Sequence, residues 1–311
     1  MTGYRLATGC FAVGAAIALI ACSGAPAQEE GSASSTELAL SQAPIIWGTD
    51  VGFATPESVR WDDGADEYIV ANINGSPVDF DNNGFISRLD PEGGVIALKW
   101  IEGGVNGVTL NGPKGTALLG NRLWVADIDT VRAFNRYTGA PIGSVQIPGA
   151  QFLNDVAVRN GKILVSDSGL DPTLNPGGGD AIYQVDQSFN VTTVSKTTDL
   201  HLPNGIEVTC DKTWVVTFGS NELFSIAADG SRQDIQNLPA GTLDGIVALN
   251  NNHFLISSWE TGTIYRGKPG ETFKAVVTDV PQPADIGYDF DRHRVLVPLF
   301  GGNEVRSYRQ N

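Results

Sequence analysis

The feature that most constrains this chain is a unit that recurs six times along it. Each copy opens on a short polar or proline-containing turn: Pro56-Glu-Ser-Val, Pro113-Lys-Gly-Thr, Leu153-Asn-Asp-Val, Pro203-Asn-Gly-Ile, Leu243-Asp-Gly-Ile and Ala284-Asp-Ile-Gly. A Gly or Asn turn follows, then a more apolar segment: Tyr68-Ile-Val-Ala, Leu123-Trp-Val-Ala, Ile163-Leu-Val-Ser, Trp214-Val-Val-Thr, Phe254-Leu-Ile-Ser and Val295-Leu-Val-Pro. β-Branched and aromatic content of this kind suits strands buried on both faces. From the second residue of each opening to the aliphatic centre of the next strand (Glu57 to Val70, Lys114 to Val125, Asn154 to Val165, Asn204 to Val216, Asp244 to Ile256, Asp285 to Val297) the spacing stays at 11 to 13 residues.

A third strand completes the visible part of each unit, as in Phe85-Ile-Ser-Arg-Leu, Ile182-Tyr-Gln-Val and Val305-Arg-Ser-Tyr. Repeats of roughly 40 to 50 residues, built of short strands with no amphipathic helix between them, describe propeller blades. The expected fold is therefore all-β, a six-bladed β-propeller. A two-sheet sandwich has no reason to place six polar positions in register. The sixth unit lacks an outer strand, and Ala43-Pro-Ile-Ile-Trp47 is the expected donor, closing the ring from the N-terminal side and covering the exposed edges.

The first 42 residues read differently. A basic start at Arg5 precedes an uncharged apolar stretch from Leu6 to Ala21, the form of a secretory signal and too short for a confident membrane span. Leu19-Ile-Ala-Cys22 resembles a bacterial lipobox, which makes Cys22 the expected lipidation site; an ordinary signal cleaved near Ala25 or Ala27 is the other reading. The expected division is a lipoprotein signal peptide over 1–21, a flexible Ser, Ala, Gly, Gln and Glu-rich tether over 22–42, and the propeller over 43–311. The expected location is periplasmic or cell-surface, with the membrane touched only through the lipid anchor.

Composition excludes partners more than it names them. A net charge of −15 and a pI near 4.5 argue against nucleic acid, which needs a basic footprint. With Cys22 lipidated, Cys210 has no cysteine to pair with in the mature chain and is expected as a packed or half-exposed thiol. A monomer is expected.

In a propeller the innermost strands run along the central channel, so Glu57, Lys114, Asn154, Asn204, Asp244 and Asp285 are expected to face one another at one mouth. Three carboxylates and two amide oxygens are hard ligands suited to Ca²⁺, another divalent cation being possible, and poorly suited to zinc. Asn-Gly, Asn-Asp and Asp-Gly are equally ordinary turn pairs when taken singly.

The openings Pro56-Glu57, Asn154-Asp155, Pro203-Asn204-Gly205 and Asp244-Gly245 resemble those of the senescence-marker-protein, gluconolactonase and luciferin-regenerating-enzyme-like propellers, over essentially everything after residue 44. The resemblance implies a catalytic calcium held by Glu57, Asn154, Asn204 and Asp244. It also implies hydrolysis of a small lactone or related ester, with Asp244 as base or nucleophile. Lys114 and Asp285 depart from the family pattern and are candidate catalytic residues; Lys114 is placed to bind a substrate carboxylate or to pair with Asp285. A non-catalytic propeller that binds a ligand or protein partner at the cell envelope is the alternative function.

Lesser features complete the reading. Asp79-Phe-Asp81-Asn-Asn83-Gly84 to Asp90 has partial calcium-loop spacing but lacks the final Glu, and a polar hairpin loop is the simpler expectation. The turn-rich insertion Leu170 to Asp180 either shapes a pocket or is a surface excursion. His201 is a weak candidate for a rim base, and Ser257-Ser-Trp-Glu260 is a candidate pocket wall.

Overall fold

The computed structural model describes residues 43–47, 50–210 and 212–309; the expected signal peptide, tether and Cys22 anchor lie outside the described residues. Within them the chain forms six four-stranded antiparallel sheets arranged as propeller blades, with no α-helix and only two single-turn 3₁₀ segments. In blades one to five the four strands follow one another in sequence, each pairing with the next.

Blade six is assembled from both ends of the described chain. Its strands Gly287–Asp289, Arg294–Leu299 and Glu304–Arg309 are completed by Ile45–Trp47, which pairs antiparallel to the last of them with Trp47 opposite Val305. The expected donor strand is thus the observed one. Trp47 is buried and stacks on Tyr68 of blade one with ring centroids 5.0 Å apart, so the strand that completes blade six also packs against blade one. Removing a buried indole of this kind costs about 3–5 kcal/mol.

The core is divided into six apolar wedges, each filling the gap between adjacent blades. The wedge between blades two and three contains Trp124, Val156 and Val165, while the one between blades six and one contains Trp47, Tyr68, Val70, Leu296 and Val305. This follows from the sequence pattern. The second strands are apolar on both faces and so pack on two neighbours at once, as Leu123 and Trp124 do, both with no exposed surface. The outer strands, such as Val191–Lys196 and Arg232–Asn237, carry half-exposed polar side chains because no blade covers them.

Candidate functional site at the channel mouth

The innermost strands are Pro56–Asp62, Pro113–Leu119, Leu153–Arg159, Pro203–Val208, Leu243–Ala248 and the short Gly287–Asp289. The first residue of each of the first five pairs with the last residue of the second strand: Pro56 with Asn72, Pro113 with Asp127, Leu153 with Asp167, Pro203 with Thr217 and Leu243 with Ser258. A register shift follows immediately in all five. An irregularity of this type re-aims a side chain without ending the strand, and it falls on Glu57, Lys114, Asn154, Asn204 and Asp244. All five are buried and line one cavity of about 360 Å³.

The sixth position corrects the sequence reading. The bridge equivalent to those five joins Pro283 to Leu299, so the residue in register with Glu57 and Asn204 is Ala284, and Asp285 lies one place further along. Asp285 is therefore not a member of the mouth ring. It lines a separate cavity of about 390 Å³ in the channel, together with Arg60, Asp155 and Glu207. Lys114 makes no ion pair with it; the Nζ donates to the Gly112 carbonyl at 3.2 Å and stands 4.2 Å above the Phe152 ring.

Glycines explain how strands carrying such side chains fit round a narrow axis. A Cβ at Gly115 would collide with Asp155, one at Gly205 with the Asp244 carbonyl oxygen, and one at Gly245 with the backbone of Asp285 and Ile286. The residue after the mouth position thus lies against the next blade's backbone, and Lys-Gly, Asn-Gly and Asp-Gly are packing requirements as well as turn pairs.

The electrostatics of the ring are unusual. Glu57 Oε2, Asn154 Oδ1, Asn204 Oδ1 and Asp244 Oδ1 are all buried oxygens with no hydrogen-bond partner. Buried polar atoms normally find partners, and here one oxygen from each of the four oxygen-bearing mouth positions has none within the protein. Burial, followed by the neighbouring Asp244 and Asp285 charges, pushes the Glu57 carboxyl well above the usual range. Burial and then Asp155 do the same to Asp244, with the Asn204 amide pulling the other way. Desolvation brings the Lys114 ammonium down to about 8, against the opposing pull of Glu57.

Orientation is fixed from behind. Asn154 Nδ2 donates to Ser168 Oγ at 3.0 Å, and that hydroxyl donates to the Pro203 carbonyl at 2.8 Å, which turns Asn154 Oδ1 away from both. Asp167, at the end of the second strand, accepts from the backbone N–H groups of Gln151, Phe152 and Gly169 and so holds the loop that delivers Phe152 and Asn154. Asp127 does the same for Asn111 and Gly112 ahead of Lys114.

The walls above this polar floor were largely missed in the sequence. The residue just after the second strand of each blade is Ile73, Ile128, Ser168, Phe218, Trp259 or Phe300, and all but Ile128 line the cavity. In five blades its N–H donates to the carbonyl just ahead of the innermost strand: Ile73 to Thr55, Ser168 to Phe152, Phe218 to Leu202, Trp259 to Thr242 and Phe300 to Gln282. Their near-constant offset of 14 to 16 residues from the mouth position of the same blade was the available signal.

Other expectations resolve as follows. Of the Ser257 to Glu260 segment only Trp259 reaches the cavity; Ser257 and Ser258 bond the Ala284 and Gly241 carbonyls, and Glu260 accepts from the Gly241 N–H. The insertion after blade three does shape the pocket, through Leu170, Leu174 and Pro176. The His201 Nδ1 is engaged with Glu222 at 2.7 Å, and the ring does not line the cavity. Residues 79–83 form a loop knitted by their own Asp81 to Asn83 contacts and by Asn82 with Asn111 and Leu110. Cys210 is an exposed free thiol. Among the described residues no group of three or more His, Cys, Asp or Glu side chains gathers at one point; the mouth ring mixes two carboxylates with two amides.

Solved propellers share this architecture. A gluconolactonase from Xanthomonas campestris superposes with a TM-score of 0.63 at 14% identity, over 88% of this chain and 97% of that one. A luciferin-regenerating enzyme gives 0.62 at 13%, over 86% and 95%. The likeness is one of fold. These are the propellers whose blade openings the sequence resembles. A catalytically inactive histidine-to-alanine variant of virginiamycin B lyase from Staphylococcus aureus, solved with quinupristin, gives 0.58 at 13%, over 86% and 98%. No protein-family model and no curated protein sequence matches the chain.

Proposed function

We propose that the chain is a lipid-anchored, Ca²⁺-dependent hydrolase of lactones or related esters, acting in the mouth cavity at the cell envelope. The observation that carries this reading is the set of four unpaired oxygens on Glu57, Asn154, Asn204 and Asp244. Two carboxylates and two amide carbonyls, all hard donors, fit a calcium ion and leave part of its usual six to eight ligands to water or substrate. A cation held there would polarise the ester carbonyl and stabilise the oxyanion.

The remaining roles belong to side chains. Asp244 accepts the proton of the attacking water as its hydroxyl joins the acyl carbon. The acyl C–O bond breaks, and the departing alkoxide takes up a proton to leave an alcohol. Lys114, buried beside Glu57 and held by Gly112 and Phe152, offers its remaining N–H donors to the carboxylate product. Ser168 positions the Asn154 amide, and the apolar walls keep bulk water from the reacting atoms.

The test is hydrolysis of lactones and aryl esters by the chain with Ca²⁺ and with EDTA, beside Asn204→Ala. Calcium-dependent turnover that drops at least a hundredfold in the variant is expected. Tight calcium binding that raises the melting temperature without turnover on any substrate would instead assign the ring a structural role in a ligand-binding propeller.

A further inference from the structure

The walls of the mouth cavity differ in chemistry from its floor. Phe218, Trp259 and Phe300, one from each of blades four, five and six, form a continuous aromatic row, with ring centroids 5.4 Å apart between the first two and 5.0 Å between the last two. None of the three belongs to an inter-blade core wedge, and each is only half-buried. Beyond this contact between neighbouring blades, the rest of their apolar area lines the cavity.

The opposite wall is supplied by the insertion after blade three. Its turn is closed by Asp171, whose carboxylate accepts from Thr173 N at 2.8 Å and from Asn175 N at 3.0 Å, and its base by a Leu170–Pro176 bridge and the Gly177 N–H to the Gly169 carbonyl. This loop presents Leu174, 48% exposed and with a left-handed φ of 61°, to the cavity. An exposed leucine in a conformation that costs a non-glycine residue energy thus faces the site.

Hydrogen-bonding groups are scarce on these walls. Above the ring, the polar side-chain groups among the described residues lining the cavity are the Ser168 hydroxyl, already committed to Asn154 and Pro203, and the indole N–H of Trp259. A polyhydroxylated sugar lactone would bury several hydroxyls without partners here, at a cost of roughly 1–3 kcal/mol for each one. From the aromatic row, the presented leucine and the scarcity of wall donors, we infer that the substrate is a lactone or ester bearing a sizeable alkyl or aryl substituent, which lies between the Phe218–Trp259–Phe300 row and Leu174. At about 360 Å³ the cavity falls within the range of small-molecule sites. The inference rests on the hydrolase reading for its chemistry but not for its occupant.

The experiment has two arms on the full chain with Ca²⁺. One measures kcat/KM for γ-lactones substituted from methyl to octyl, beside glucono-δ-lactone. The other measures calorimetric binding of the matching alkyl cyclopentanones, which cannot be hydrolysed. Both constants are expected to rise roughly fourfold per methylene over the shorter chains, and binding to carry a negative heat-capacity change. Phe300→Ala and Leu174→Asn should flatten both slopes; asparagine tolerates the left-handed φ, so the loop is preserved. Binding that climbs with chain length without turnover would keep the apolar occupant and overturn the hydrolase. Turnover with no chain-length dependence, or with glucono-δ-lactone preferred, would overturn the inference and leave the hydrolase standing. Neither binding nor turnover would overturn both.

Discussion

Two rings of side chains lie one residue apart on the same innermost strands, and they treat buried carboxylates in opposite ways. In the mouth ring, Glu57 and Asp244 each keep an oxygen without a partner. One step further in, Asp155 accepts from the Ile206 N–H at 2.8 Å and the Val156 N–H at 2.6 Å. Deeper still, Glu207 accepts from the Val208 and Ala248 N–H groups at 2.9 and 3.3 Å. Arg60, among the same channel-lining residues, donates to the Thr116 carbonyl and lowers both acids' affinity for protons. Asp155 and Glu207 are satisfied by the protein itself, whereas Glu57 and Asp244 at the mouth each keep an unpaired oxygen.

The largest expected effect breaks the two rings apart directly. Asp244→Asn should lower kcat on a hydrolysed lactone by at least a thousandfold, and Asp285→Asn, one ring inward, by less than fivefold, measured side by side at saturating Ca²⁺. Equal losses would put Asp285 back among the reacting groups. The next contrast is structural: Gly205→Ala should destabilise by about 3 kcal/mol in urea unfolding, because a Cβ there meets the Asp244 carbonyl oxygen. Ala284→Ser, at the mouth position with no ligand oxygen, serves as the mild comparison.

The smallest effect concerns pH. Burial pushes Asp155 up to about 6 and Glu207 up to about 7. Both therefore hold a proton more tightly folded than unfolded, where carboxyls titrate near pH 4. Stability from these groups is greatest below about pH 4 and falls as pH rises to about 7. Urea unfolding between pH 4 and 8 in EDTA checks the slope, and a stability that rose across that window would show that the channel acids are held ionised.

Much of the site was legible because a repeat carries its own alignment. Six openings at near-constant spacing located Glu57, Lys114, Asn154, Asn204 and Asp244 at equivalent strand starts, and the structure brings these five to one cavity. The sixth failed for a physical reason. Spacing counted along the chain tolerates a slip of one residue, and in a strand one residue moves a side chain to a different place; only the Pro283–Leu299 bridge shows that Ala284 holds the equivalent position. The aromatic row was only partly visible: Trp259 stood in the candidate wall segment, but Phe218 and Phe300 lie about forty residues to either side of it along the chain.

By itself, then, the sequence determined the blade number, the closing strand and the oxygen-bearing residues at the mouth, because periodic burial and turn chemistry are local properties repeated six times. Tertiary structure alone decided which carboxylates keep unpaired oxygens, that Asp285 belongs to the channel, and that the mouth has apolar walls. Each of these depends on what a neighbouring blade places within a few ångströms, and strands that meet there lie far apart along the chain.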